Sequence, residues 1–182
     1  VYIIGFEGTF VSSNMTRNQI FDTLSAGIFF TGIAAGFVEE MVFRGVILNL
    51  LKERWNTVAA VLVPSIAFGC LHVLGMDFTI ESSLLVIAAG SLVGIMFSLI
   101  ALRSGSVWNS AIVHAIWNIV IIGGDLTIAD KVDEYSVMTY VLSSKSFAVT
   151  GGEFGIESSL VALVGYSVVS IIILISWKKH KG

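Results

Sequence analysis

Four stretches of this chain, residues 57–74, 83–102, 106–122 and 160–177, contain no Asp, Glu, Lys or Arg. Roughly 17–25 mostly apolar residues suffice to cross a bilayer as a helix. The runs are continuously apolar and do not alternate with period two, which predicts helices rather than barrel strands. A fifth span is expected from about 24 to 51, apolar except at Glu39, Glu40 and Arg44, with Asp22 or Thr23 capping its start. Residues 1–20 are too polar and interrupted for a further span, although 1–6 read as the tail of one. Only 13% of the 182 residues are charged, about half the roughly 25% of a soluble domain. The expected fold is therefore all-α, a polytopic helical bundle of about five transmembrane helices.

The whole chain, 1–182, reads as a single membrane domain: a core at about 24–122, an outer loop at 123–159 and a last helix at 160–177. Lys52, Arg54, Arg103, Lys178, Lys179 and Lys181 all fall on one side of five alternating spans. The basic-residue rule makes that side, and with it the C-terminus, cytoplasmic. The opposite side holds the 123–159 connection, with six acids, two lysines and an apolar patch at 137–142. It reads as either a cap or a tether.

A net charge of −3 without a basic run except at the end argues against nucleic-acid binding. A single cysteine, Cys70, excludes an internal disulfide and is expected to be a small buried apolar residue. Gly32-Ile-Ala-Ala-Gly36 and Gly90-Ser-Leu-Val-Gly94 place small residues four apart, as close helix contacts in membranes require. Pro64 removes one backbone bond and predicts a kink. Asn14-Met-Thr16 matches a glycosylation acceptor, which carries no weight without a compartment.

Against this apolar background Glu39, Glu40, Arg44, His72, His114 and Asn118 stand inside expected spans, where an ionised group costs ~2.5–3.5 kcal/mol on insertion scales. Glu40 and Arg44 are four apart and can pair on one helix face. Glu39 is rotated by about 100° from Glu40, onto the face of Gly32, Ala35 and Gly36. Phe68 and His72, and likewise His114 and Asn118, are four apart on their own helices. At 1.5 Å per residue Glu39, His72 and His114 lie ~18, ~22 and ~12 Å deep, close enough to meet in one cavity. A carboxylate beside an imidazole can act as general base on water, while an imidazole N–H and an amide can donate to an oxyanion. That set suits peptide-bond hydrolysis with no cofactor required. Glu39, His72 and His114 also match the ligand count of a catalytic zinc site, so a metal-dependent variant stays open. A nucleophilic serine or Cys70 is poorly supported, for want of a Gly-x-Ser-x-Gly context.

Glu39-Glu40-Met-Val-Phe-Arg44, Phe68-Gly-Cys-Leu-His72 and His114-Ala-Ile-Trp-Asn118 resemble, in this order, the Glu-Glu-x-x-x-Arg, Phe-x-x-x-His and His-x-x-x-Asn motifs of the CPBP family. That family comprises CAAX proteases, including type II CAAX prenyl endopeptidases, and bacteriocin-processing proteins. The resemblance implies an intramembrane endopeptidase in which Glu39 and His72 activate water, and His114 and Asn118 form the oxyanion site. It further implies that Glu40 supports the site and that Arg44 orients a carboxylate or the substrate. Relatives usually carry more helices ahead of the Glu-Glu helix, so either upstream helices are missing from this sequence or the fold is reduced to its core. Membrane lipids and a peptide or protein are the partners implied, in a bacterial cell membrane. The competing readings are a non-enzymatic immunity or scaffold protein docking through 123–159, and a proton or ion pathway.

Overall fold

The computed structural model describes residues 1–179; Lys181, one of the basic residues used for orientation, lies outside the described residues. A one-turn helix, α1 (Tyr2–Gly5), and a strand, β1 (Gly8–Ser12), precede the first long helix, α2 (Arg17–Arg54). Then follow α3 (Thr57–Leu71), α4 (Ile80–Ser104) and α5 (Val107–Ile122). Strands β2 (Leu126–Ala129) and β3 (Met138–Leu142), a short α6 (Phe147–Thr150), a 3₁₀ turn (Ile156–Ser158) and α7 (Leu160–Lys179) complete the chain. The helices α2, α4 and α7 are long and apolar enough to cross a membrane; α3 and α5 are shorter apolar helices.

The five-helix bundle matches the expectation, with three corrections. First, α2 begins at Arg17, not near Leu24. Thr16 and not Asp22 or Thr23 caps it: its side chain accepts from the Gln19 amide, while Gln19 reaches back to the Thr16 amide. This reciprocal capping box satisfies two amides that the helix itself leaves unpaired. Second, α3 ends at Leu71, so His72 is the C-cap residue of that helix rather than a mid-span group. Third, Cys70 is exposed and not buried. Pro64 lies inside α3, whose helical assignment runs through it unbroken.

Burial is inverted relative to a soluble protein. Phe30 is 78% exposed and Ile172 59%, whereas Ser65, Ser98 and Ser110 are fully buried. Each of these serines bonds a carbonyl of its own helix, so the bundle interior holds small, self-satisfied polar residues while large apolar ones face outward. Both small-residue motifs serve as contact points. A Cβ on Gly90 would stand 2.6 Å from the Gly69 Cα, and one on Gly36 3.0 Å from the Ala115 backbone. Helix α4 packs against α3 and α7, and its Phe97 and Met96 join Tyr166 of α7 in the apolar core.

The 123–159 connection is folded, and it is a cap. Strand β3 pairs antiparallel with β1 and parallel with β2, so the N-terminal strand is stitched to the connection in the order β1-β3-β2. The apolar patch at 137–142 supplies β3. Asp133 organises the turn between β2 and β3, accepting from the Ser136 hydroxyl (2.5 Å), the Tyr135 amide (3.0 Å) and the Thr127 hydroxyl (3.2 Å). Burial opposes its ionisation, but these donors outweigh it and hold its carboxyl below the usual range. Tyr2 of α1 donates to the Val149 carbonyl and is hydrogen-bonded to the Ser159 hydroxyl, fastening the N-terminal turn to the same cap.

Candidate active site

Glycine contacts set the placement of the polar residues. Gly27, Gly32 and Gly36 of α2 lie against Gly123, Ile119 and Ala115 respectively. The two antiparallel backbones thus touch one turn before Glu40 on α2 and beside His114 on α5. Similarly Gly69 sits against Ile87 and Ser91 of α4, which fixes the end of α3 where His72 emerges. A strict α-helix does not run the length of α2: residues Ala26–Ala35 and Met41–Ile47 adopt wider π-helical turns, flanking the α-helical Gly36–Glu40. Wide turns free carbonyls for other partners, and the Thr31 carbonyl accepts from the Asn118 side-chain amide at 3.0 Å.

The two adjacent acids have different surroundings. Glu40 is fully buried. Its Oε1 accepts from the Arg44 guanidinium at 2.8 Å and from His114 Nδ1 at 3.1 Å. Its Oε2 is buried without a partner among the described residues. The Arg44 guanidinium donates also to the Gly94 carbonyl at 3.0 Å and lies within 4.9–5.6 Å of the Phe43, Phe68 and Phe97 ring centres. This aromatic cage suits a weakly hydrated guanidinium. Glu39 keeps 35% of its side chain exposed and approaches His114 Nε2 at 3.7 Å, outside hydrogen-bond length.

His114 is the hub. Its ring stacks on Phe97 (4.7 Å, 22°) and meets the edge of Phe68. Because Nδ1 bonds a carboxylate it carries a proton, so an N–H at Nε2 exists only on the doubly protonated ring. His72 Nδ1 lies 2.7 Å from the Phe68 carbonyl, an acceptor, so this nitrogen too is the protonated one and Nε2 is left with a lone pair. The Phe68 ring stands between the two imidazoles, 4.5 Å and 6.1 Å from their centres.

His72, His114 and Asn118 line a single cavity of about 50 Å³, together with Phe68 and the apolar face of α4 from Val86 to Phe97. That is room for a few waters. Glu39 is not among its lining residues and meets it only through His114, whereas the sequence reading had all three acid, imidazole and amide groups opening onto one chamber. Among the described residues no three His, Cys, Asp or Glu side chains gather closely enough to hold a metal ion. Glu39, His72 and His114 are thus not drawn together as a three-ligand set in this arrangement.

The roof comes from the capping connection, which the sequence reading left out of the site. Phe154 closes it over His72, with ring centres 6.0 Å apart. Glu153 secures this segment by accepting from the Thr79 amide at 2.9 Å. Glu157 also lines the cavity, its Oε1 accepting from the Trp117 indole at 3.0 Å. Nothing in the pattern signalled it, since an acid three residues ahead of an apolar run reads as an interfacial charge.

A family model described as type II CAAX prenyl endopeptidase Rce1-like matches residues 22–120, more than half of the chain. The match contains the Glu-Glu, His72 and His114–Asn118 motifs and ends before the cap. No curated protein and no solved structure matches the chain. An integral membrane bundle, three polar motifs turned to one interior region and a match covering all three lead to one assignment: the chain belongs to the Rce1-like family of type II CAAX prenyl endopeptidases.

Proposed function

We propose that the chain hydrolyses a peptide bond within the membrane, with Glu39 as general base. The observation that carries this reading is His114 bridging the two acids, 3.1 Å from Glu40 and 3.7 Å from Glu39, on the wall of a cavity shared with His72 and Asn118. Burial divides the labour between the acids. Glu40, sealed and tied to Arg44, cannot reach water and positions His114. Glu39 retains solvent access and can take a proton from a water polarised beside it, while the free Nε2 of His72 accepts that water's other hydrogen. In the tetrahedral intermediate the oxyanion takes hydrogen bonds from the second N–H of Asn118 and from Nε2–H of a doubly protonated His114. Phe68 spaces the two imidazoles, and Arg44 holds Glu40.

The family name supplies the substrate class to test first, a prenylated CAAX peptide, in which the lipid tail would keep the scissile bond at membrane depth. Glu39→Gln preserves shape and removes the base. Protein purified in detergent, given a farnesylated, internally quenched CAAX peptide, is expected to cleave it, and Glu39→Gln to cleave at least ~10²-fold more slowly. An unreduced rate in Glu39→Gln, or an inert wild type, overturns the reading. Chelation followed by zinc add-back checks the metal-dependent variant separately.

A further inference from the structure

Among the motif residues, Glu39 starts unprotonated as the base and Glu40 is sealed in its pair with Arg44, so neither brings a proton of its own to the nitrogen as the C–N bond breaks. Glu157, which lines the same cavity, is not occupied in this way. Its Oε1 is fixed by the Trp117 indole N–H, one residue before Asn118, and its Oε2 has no hydrogen-bond partner among the described residues. The Tyr166 hydroxyl donates to the Glu157 backbone carbonyl at 3.2 Å, so the residue is pinned from α5 and from α7. We infer that Glu157 is a second acid–base residue of the site, the one that protonates the leaving nitrogen.

Two independent properties suit it to that role. It lines the same cavity as His72, His114 and Asn118, and His114 is near enough to act on its charge. Burial also pushes its carboxyl up to about 7, against the opposing pull of the Trp117 N–H and His114, so a proton is available near neutrality. The other titratable groups around it are His114 from α5, Tyr166 from α7, His72 from the end of α3 and, beyond Tyr166, Tyr2. The α4 wall contributes none.

The inference rests on the peptidase reading, and its proton balance closes. Glu39 takes one proton from water as the water oxygen bonds the carbonyl carbon. Glu157 delivers its proton to the amide nitrogen as the C–N bond breaks. The new carboxylic acid returns a proton to Glu157, and Glu39 passes its own to the amine, leaving a carboxylate, an ammonium and the starting enzyme.

Cleavage of the farnesylated CAAX peptide is measured from pH 5 to 9 for wild type, Glu157→Gln, Glu157→Asp and Trp117→Phe. Glu157→Gln is expected to lower kcat by at least ~10² with little change in KM and to abolish the alkaline fall in rate. Glu157→Asp is expected to recover part of it. Trp117→Phe removes a donor that favours the ionised form and should shift the alkaline fall upward in pH. Infrared titration of the carboxyl stretch reads the same group without substrate, in wild type and in the silent Glu39→Gln protein alike. A band titrating near 7 that moves in Glu157→Asp supports the inference even where no peptide is cut. Wild-type kcat with an intact alkaline fall in Glu157→Gln, or no such band, overturns it and leaves the Glu39 reading standing.

Discussion

Replacing Arg44 by Met isolates what holds the two acids in different states. Methionine fills most of the aliphatic volume inside the ring of Phe43, Phe68 and Phe97 but removes the charge. Glu40, fully buried, then retains only His114 as a partner, and the Gly94 carbonyl loses its donor. Removing one member of a buried ion pair costs about 3–5 kcal/mol, because the uncompensated charge outweighs the lost attraction. For a chain of this length that corresponds to a fall in Tm of roughly 10 °C. Glu40→Gln in the same background removes the stranded charge while its amide oxygen still accepts from His114 Nδ1. The double variant should therefore regain at least half of the loss. The assay is thermal unfolding in detergent for wild type, both single variants and the double variant. Additive single effects would mean that Glu40 and Arg44 are not energetically paired, and the positioning role given to Glu40 would fall.

Four further outcomes are expected. Gly36→Val places a side chain against the Ala115 backbone, where a Cβ already stands at 3.0 Å; overpacking of about 1–3 kcal/mol should move Glu40 from His114 and reduce cleavage at least tenfold. Gly45→Ala, whose Cβ meets nothing closer than 3.9 Å, is the matched control and should leave both stability and rate within about 1 kcal/mol and twofold of wild type. Thr16→Ala removes the capping box of α2 and should cost about 1 kcal/mol, read as faster amide exchange at residues 17–20 with unchanged cleavage. Asp133 ionises more readily folded than unfolded, so it stabilises the β2–β3 turn above pH ~4 and that contribution is lost as pH falls through its lowered folded value. Exchange at residues 135–139 should accelerate on acidification in wild type and be nearly independent of pH in Asp133→Asn.

Hydropathy located all five helices because lipid leaves few alternatives: a predominantly apolar run of this length has nowhere else to go. The interior polar groups were legible for the same reason, since each stood against an apolar background. What escaped was set by hydrogen bonding and register. Thr16 and Gln19 lie in a polar stretch where hydropathy is silent, so the true start of α2 was visible only as a capping pattern. The π-helical turns alter the phase of α2, which an assumption of 3.6 residues per turn cannot detect, and Glu39 consequently stands at the flank of the cavity. The small sheet pairs residues about 130 apart in sequence, Gly8 with Leu142 and Ser12 with Met138. No local pattern marks such a partner, and so the sequence leaves cap and tether both open and does not bring Phe154 and Glu157 to the site.

The split between helices and cap has a consequence for selectivity. Residues inside the matched stretch form the floor of the reaction chamber, and residues outside it, Phe154 and Glu157 among them, form the ceiling. The ceiling is fastened by removable ties: Glu153 to Thr79 and Tyr2 to Ser159. On the proposed peptidase reading, a chain of this build can keep its helix motifs and Glu157 while exchanging the other residues overhead, and so be re-addressed to a different polypeptide without rebuilding any membrane helix.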